Sequence, residues 1–300
     1  MRPSGIRNVN RTRRWRGVAA SASAPAAAAS ISRSGGPAVS EAVIAGGGLA
    51  GLALAIGLRN IGIDAQVYEA RSEVGGGEGT LITLYPNGLR ALNRIDPAIV
   101  PQLISRGVPN PTVLSRSLTG ELLFQWDLSS NMTPRFGFPM LCIRWQEVLD
   151  VLRGMLPNDA IHTGHKLVGF TRREKEAEGG RGGEGSDAGM GSGSVKCIFE
   201  TVFGGEERLL EVETPVLLGA DGIHSETRKH LLEGEEGRSG SSGAAGGGVS
   251  PRDNGRTIWR AIIDSSLCPH PLLQPRHALS FIGLNRTATV VDTGGGCQNH

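Results

Sequence analysis

After Ser40 the apolar positions change period from one segment to the next. Glu41–Ala45 is a short apolar run of strand length. Leu49–Asn60 reads LAGLALAIGLRN, an Ala/Leu-rich helix, and Gly62 sits just past its end, where a C-cap glycine belongs. Asp64–Tyr68 returns to strand character and is followed by Glu69. Leu81–Leu84 is another short apolar piece, and Pro86 opens a helix to about Asp96 with Leu89, Leu92 and Ile95 on one side. Thr112–Leu128 has the pattern of a hairpin turning at Thr119-Gly120. Met140–Ile143 predicts a strand. Arg144–Leu156 predicts an amphipathic helix carrying Trp145, Val148, Leu149, Leu152, Met155 and Leu156, ended by Pro157-Asn158.

The second half is richer in strand patterns. Ala160–Phe170 holds a strand or two, Val195–Phe203 and Glu207–Glu213 form a hairpin around Gly204-Gly205, and Pro215–Ala220 reads as a buried strand. A helix begins near Ser225, a residue suited to the N-cap, with Glu226 in its first turn. Thr257–Asp264, His277–Gly283 and Arg286–Asp292 also predict strands, with Trp259 read as a core residue and Arg260 beside it as a substrate-face candidate. Two stretches break the pattern. Arg172–Ser194 and Glu233–Gly255 each carry eight glycines and read as low-complexity insertions, disordered over about 174–194 and 233–255.

Charge is distributed unevenly. The whole chain of 300 residues carries +2, yet residues 1–40 hold seven Arg and no acid, so the rest has 24 basic against 29 acidic side chains, a net of −5. A mildly acidic body has no electrostatic footprint for nucleic acid. Residues 1–40 are rich in Arg, Ser and Ala without a continuous apolar stretch, the composition of an organelle transit peptide. The Ala/Ser-rich half points to a plastid, with the mitochondrion as the alternative. The four cysteines are far apart in sequence and form no C-x-x-C pair, which argues for a reduced compartment and against a zinc site or disulfide framework. His162-x-x-His165 lacks a third metal ligand, so no metal is expected. The uncharged run Val43–Leu58 is short for a membrane span and is interrupted by glycines, so no transmembrane segment is expected.

The candidate chemistry sits at the first strand-to-helix turn. Gly46, Gly48 and Gly51 fall as G-x-G-x-x-G between a strand and a helix, and Glu69 follows Gly51 by 18 residues at the tip of the next strand. Gly46 permits the tight turn, Gly48 lets backbone approach a pyrophosphate, and Gly51 lets helix pack on strand. Leu49 and Ala50 start the helix, whose free N–H groups favour phosphate. A carboxylate at Glu69 accepts from a ribose 2′-OH and disfavours a 2′-phosphate, so the site suits FAD or NAD rather than NADP. Arg71 follows closely. Farther on, Gly219-Ala220-Asp221-Gly222 ends a strand, placing Asp221 where open α/β sheets bind ligands. Arg144 opens a helix, where a cation opposes the macrodipole, so a bound anion such as the FAD diphosphate is expected there, with a surface salt bridge as the alternative.

The run GGGLAGLALAIGLRNIGIDAQVYEAR resembles the FAD-binding start of flavoprotein monooxygenases of the aromatic-ring hydroxylase type, a superfamily that includes zeaxanthin epoxidases. GADGIHSETR matches the fixed positions of that family's G-A-D-G-x-x-S-x-x-R motif at Gly219, Ala220, Asp221, Gly222, Ser225 and Arg228. PNGLRALNRI resembles its helix after the second strand, and IRWQEVLDVL its segment whose Arg contacts FAD, here Arg144. The resemblance covers about Ala42 to Asp292. The family's third motif, G-D-A-A-H before a proline- and glycine-rich stretch, does not occur, so the chain is expected to match the N-terminal part of such a flavoprotein.

The expected fold class is therefore α/β. A discontinuous Rossmann-like FAD-binding domain (41–111 with 140–255) has an antiparallel-sheet substrate domain interleaved (112–139 with 256–300), incomplete at the C-terminus. The resemblance implies an FAD-dependent monooxygenase that takes electrons from NAD(P)H and passes one oxygen atom of O2 to a small organic substrate, aromatic or isoprenoid. The implied cofactor residues are Gly46, Gly48, Leu49, Ala50, Gly51, Glu69, Arg71, Arg144, Asp221 and Gly222. An FAD-linked oxidoreductase without oxygenation and a non-catalytic nucleotide-binding fragment are the alternatives. The sequence identifies no catalytic acid or base and no oligomeric state.

Overall fold

The structure is a computed structural model, and it describes residues 40–75, 79–128, 130–173, 193–203, 206–236, 252–264, 266, 270–272 and 274–294. The expected transit segment, up to residue 39, and most of both glycine-rich insertions lie outside the described residues.

The opening unit is β1 (Ala42–Ala45), α1 (Leu49–Asn60) and β2 (Ala65–Glu69). α1 ends as its sequence predicts. Gly62 takes φ +85°, its N–H bonds to the Arg59 carbonyl, and the Ile63 N–H reaches back to Leu58, the paired bonds of a Schellman cap. Next come β3 (Leu81–Leu84), α2 (Pro86–Ile95), α3 (Ile99–Arg106) and β4 (Val108–Pro109). The hairpin β5 (Thr112–Ser117) and β6 (Leu122–Asp127) is followed by the short α4 (Met132–Phe136). β7 (Leu141–Arg144) runs into α5 (Trp145–Gly154), with Arg144 as its N-cap. The remainder is β8 (Ile161–Thr163), β9 (His165–Arg173), β10 (Ser194–Phe203), β11 (Glu206–Thr214), β12 (Leu217–Gly219), α6 (Glu226–Glu236), β13 (His277–Gly283) and β14 (Arg286–Val291). Helices α3 and α4 have no counterpart in the sequence-based expectations.

A parallel sheet in the order β12-β1-β2-β8 forms the centre. Along β1, Ala42 and Ile44 enter one apolar cluster and Val43 and Ala45 another, as the alternation of a strand requires. The first cluster adds Leu52, Ala55 and Ile56 of α1, Leu89 of α2, Ile99 and Leu103 of α3, and Val148, Leu149 and Leu152 of α5. The second adds Leu167 of β9 with Cys197 and Phe199 of β10. The parallel sheet is thus covered by helices on one face and by the antiparallel sheet β11-β10-β9 on the other. This double cover is what buries all four β1 residues. Each large aliphatic side chain so buried stabilises the fold by about 1.5–3 kcal/mol.

A further four-stranded sheet, β14-β13-β5-β6, joins the 112–127 hairpin to the 277–291 hairpin. It departs from the purely antiparallel expectation: β13 runs parallel to β5, from His277 beside Thr112 to Ile282 beside Ser117. The two strands belong to separate hairpins, so no tight turn fixes their relative direction. Every residue of β6 is exposed, including Phe124 and Trp126.

Two strand expectations are corrected. Thr257–Asp264 is not a strand; it makes no ladder, and Trp259, read as core, is 87% exposed. Local strand preference forms no strand without a neighbour to pair with. Leu217–Gly219, read as buried, is an edge strand with only half-buried leucines, because β1 pairs with one side of it and no described strand pairs with the other.

Beneath the sheet, Tyr68 is stacked between Phe199 (ring centroids 4.3 Å apart) and His162 (4.6 Å). His162 Nε2 lies 2.9 Å from the amide oxygen of Gln66, which can only accept, so the neutral imidazole donates there. Burial pushes the His162 pKa below its usual 6.5, the nearby His165 adds to this, and Asp159 opposes it. Burial likewise raises the Cys142 thiol and pushes Cys197 up to about 11; both are free thiols. His162 is favoured neutral in the fold, so its contribution is complete above pH 6.5 and is lost as pH falls toward the lower folded value. Urea unfolding across that window should show stability declining with acid in the wild type and declining less in His162→Phe; equal slopes would contradict the assignment.

Candidate functional site

The glycine turn is held between two strand ends. The Gly46 N–H bonds to the Tyr68 carbonyl at 2.8 Å, and the Ala220 N–H bonds to the Ala45 carbonyl at 2.7 Å. Gly46 adopts φ +108°, and a Cβ there would lie 2.4 Å from the Ala220 carbonyl oxygen. A Cβ on Gly51 would lie 1.9 Å from the Gly46 carbonyl oxygen. Gly48 differs: a Cβ there would meet nothing within 4 Å. It is the N-cap of α1, it makes no side-chain cap bond, and the first turn, where Leu49 is half-buried and Ala50 exposed, holds no acid. The first N–H groups of a helix have no intrahelical partner, so this terminus presents donors and positive potential to open space. The cradle fits a diphosphate.

Glu69 lies at the end of β2 beside this loop. Its Oε2 accepts the Gly47 N–H at 2.6 Å and its Oε1 accepts the Arg71 N–H at 3.0 Å. Arg71 in turn accepts the Gly164 N–H at its carbonyl, 2.7 Å away, tying the loop after β2 to the turn after β8. Gly47, the free position of the G-x-G-x-x-G pattern, was not singled out in the sequence; the run of three glycines was its only signal.

Asp221 and Gly222 follow β12, and the backbone of Asp221 lies against Gly46: a Cβ on that glycine would be 2.9 Å from the Asp221 nitrogen. The side chain turns the other way. Asp221 Oδ1 accepts the Ser225 hydroxyl at 2.5 Å, and Oδ2 accepts both the N–H (2.9 Å) and the hydroxyl (3.0 Å) of Thr227. Burial alone would raise the carboxyl pKa, but these hydrogen bonds bring it below the usual value. Ser225 caps α6 as expected, its oxygen accepting the Arg228 N–H at 2.9 Å. Arg228 Nη2 donates to the Ile223 carbonyl at 2.6 Å. A Cβ on Gly219 would lie 2.8 Å from Thr227, so the small residue is needed where α6 crosses β12. Thr227, between two fixed positions of the motif, was missed by the sequence reading. A pocket of about 360 Å³ opens here, lined by Ala220, Asp221, Gly222, Arg228, Leu231 and Leu232 among others.

Arg144 stands apart from this convergence. Among the described residues no hydrogen bond or ion pair joins it to the glycine turn or to Asp221; they are linked through the core that α1 shares with α5. Its Nε is buried without a hydrogen-bond partner, and among the described residues Arg144 forms no ion pair. An orphaned guanidinium nitrogen at a helix N-terminus suits a bound anion better than a surface ion pair. His162 and His165, 6.1 Å apart, are engaged with Gln66 and with the Thr163 carbonyl, and no group of metal-ligating side chains occurs among the described residues. No described helix is long and apolar enough to cross a membrane.

The chain is similar to curated FAD-dependent monooxygenases. It is 29% identical over 190 residues to ausM of Emericella nidulans, covering 63% of this chain and 34% of that protein. It is 33% identical over 192 residues to penE of Penicillium thymicola, covering 64% and 34%. The chain thus spans about a third of the length of these relatives. No protein-family model matches it. Among solved structures, Klebsiella pneumoniae HpxO, complexed with FAD and uric acid, superposes with a TM-score of 0.56 at 20% identity, over 85% of this chain and 54% of that one. The rebeccamycin biosynthetic enzyme RebC superposes with a TM-score of 0.50 at 20% identity, over 66% and 36%. The fold is that of FAD-binding monooxygenases, and the chain's homologues are FAD-dependent monooxygenases.

The Asp221 carboxylate anchors α6, so Asp221→Ala should cost about 1–2 kcal/mol of stability at neutral pH, the usual cost of a lost cap. A depressed carboxyl pKa stabilises the fold above the ordinary 3.8 and loses that contribution as pH falls through the folded value. The gap between wild type and variant in denaturant titrations should therefore close in strong acid; a gap that stays constant would refute the assignment.

Proposed function

We propose that the chain binds FAD and works as an FAD-dependent, NAD(P)H-using monooxygenase that inserts one oxygen atom of O2 into a small organic substrate, aromatic or isoprenoid. The observation that carries this reading is the uncapped N-terminus of α1 over Gly48, with the Glu69 carboxylate at the tip of the adjacent strand. The relatives, which are FAD-dependent monooxygenases by name, support the reaction class.

When bound, FAD would supply the electron storage and the reaction with oxygen. The protein's own part is to grip and orient. The first-turn N–H groups of α1 and the Gly48 backbone hold the diphosphate. The open lone pairs of Glu69 would take the adenosine ribose hydroxyls, and the guanidinium of Arg144, whose Nε is buried without a partner, would supply positive charge to an anionic oxygen of the cofactor. The Asp221–Gly222 turn fixes the floor of the loop through backbone packing on Gly46, while its carboxylate stays with α6.

The full chain, purified, should be yellow and bind FAD stoichiometrically. A methyl on residue 51 must displace α1 or the Gly46 carbonyl, an overpacking cost of about 1–3 kcal/mol, so Gly51→Ala should weaken FAD binding by about tenfold or more. With a substrate, NAD(P)H oxidation should match O2 uptake, and ¹⁸O from O2 should appear in the product. Substrate reduction without oxygen uptake would instead identify an oxidoreductase, and a colourless chain that ignores added FAD would sink the flavin reading.

We also propose delivery to a plastid, with the mitochondrion as the alternative, on the Arg-, Ser- and Ala-rich, acid-free composition of residues 1–40. A fluorescent protein fused behind residues 1–40 should enter one of these organelles; diffuse cytosolic signal would overturn this.

A further inference from the structure

Gly47 occupies the one position between the first two glycines that a dinucleotide turn leaves open to other residues. It is buried, and its φ lies outside the left-handed region, so backbone conformation does not demand glycine there. The demand comes from Glu69. A Cβ on residue 47 would lie 3.0 Å from Glu69 Cβ, 3.1 Å from Oε2 and 3.3 Å from Cγ. Glycine lets the carboxylate lie directly on the loop, and the Gly47 N–H takes advantage of this with a bond of 2.6 Å, in the short range of charge-assisted pairs. The other oxygen is anchored by the Arg71 N–H.

We infer that Glu69 is a positioning residue that locks the phosphate-binding loop in its working shape before any dinucleotide arrives, with Gly47 as its dedicated partner. An ionised carboxylate offers about four acceptor sites, of which the two backbone N–H groups use two. The remaining lone pairs are held in a fixed plane, ready for a vicinal pair of ribose hydroxyls. One side chain therefore sets the shape of the phosphate half of the cradle and the reach of the sugar half. Loop ordering is completed during folding rather than drawn from the binding free energy. The inference deepens the FAD reading and rests on it for the ligand, but the latch itself is a property of the ligand-free chain.

The test has an arm without ligand and an arm with it. In the full-length apo protein, amide exchange at Gly47 should be slow and at Gly48 fast, and Glu69→Ala should accelerate Gly47 by about tenfold or more, the loss of one hydrogen bond to a charged group. In the second arm FAD affinity is measured for Gly47→Ala, Glu69→Gly and the double variant, glycine being needed at 69 because alanine would keep the Cβ that lies 3.0 Å from a Cβ on residue 47. Gly47→Ala should weaken binding about tenfold against the wild-type background and about threefold or less once Glu69 is gone, since the clash goes with it. Equal effects in both backgrounds would overturn the latch, as would a wild-type Gly47 amide exchanging as fast as Gly48. Should a variant fail to fold, the wild-type comparison of the two amides decides alone. Slow exchange at Gly47 in a chain that never binds FAD would leave the latch standing and remove the flavin reading.

Discussion

The carbonyl oxygen of Gly46 rests against the bare Cα of Gly51, and the rest of the site depends on that contact. No side chain of any size fits between them. Because they touch, the chain leaves β1 and enters α1 within three residues, and the helix starts at the C-terminal edge of the sheet instead of beyond it. The same turn lets Gly46 press on the Ala220–Asp221 backbone, so segments about 175 residues apart in sequence meet at one edge. The pairing of β1 with β2 and β12 supplies the frame, and the missing side chains supply the closeness.

Two helix N-termini face this edge, and the protein treats them in opposite ways. α6 is fully provided for: Ser225 caps it, and the Asp221 carboxylate takes the Thr227 N–H and adds a negative charge beside the positive end. α1 has neither a capping side chain nor an acid in its first turn. A capping side chain in place of Gly48 would add only a few tenths of a kcal/mol, so glycine leaves the end of α1 open at little cost in stability. The contrast argues that the bare end is a binding feature.

Gly46, Gly48, Gly51 and Glu69 were legible in the sequence because each answers a local demand. A tight turn, a close approach and a strand tip leave their mark on adjacent residues. Gly62 was legible for the same reason, its left-handed φ being a purely local requirement. What depends on a distant partner was not. Leu217–Gly219 has the composition of a buried strand but lies at an edge, and Thr257–Asp264 has strand preference without a neighbour. Asp221 was found by its place at a strand end, yet its carboxylate serves Ser225 and Thr227, a commitment that depends on how α6 folds back. Gly47 escaped notice because its constraint comes from a side chain 22 residues away.

The buried thiols bear on durability. Burial pushes the Cys197 thiol up to about 11, so at neutral pH it stays protonated. Peroxide attacks the thiolate, so Cys197, packed beneath the sheet beside Tyr68 and Phe199, is a poor target for it. Reduced flavins that react with oxygen can release peroxide. A core that keeps its sulfur protonated therefore protects the packing beneath the sheet from oxidants in its surroundings, whatever their source.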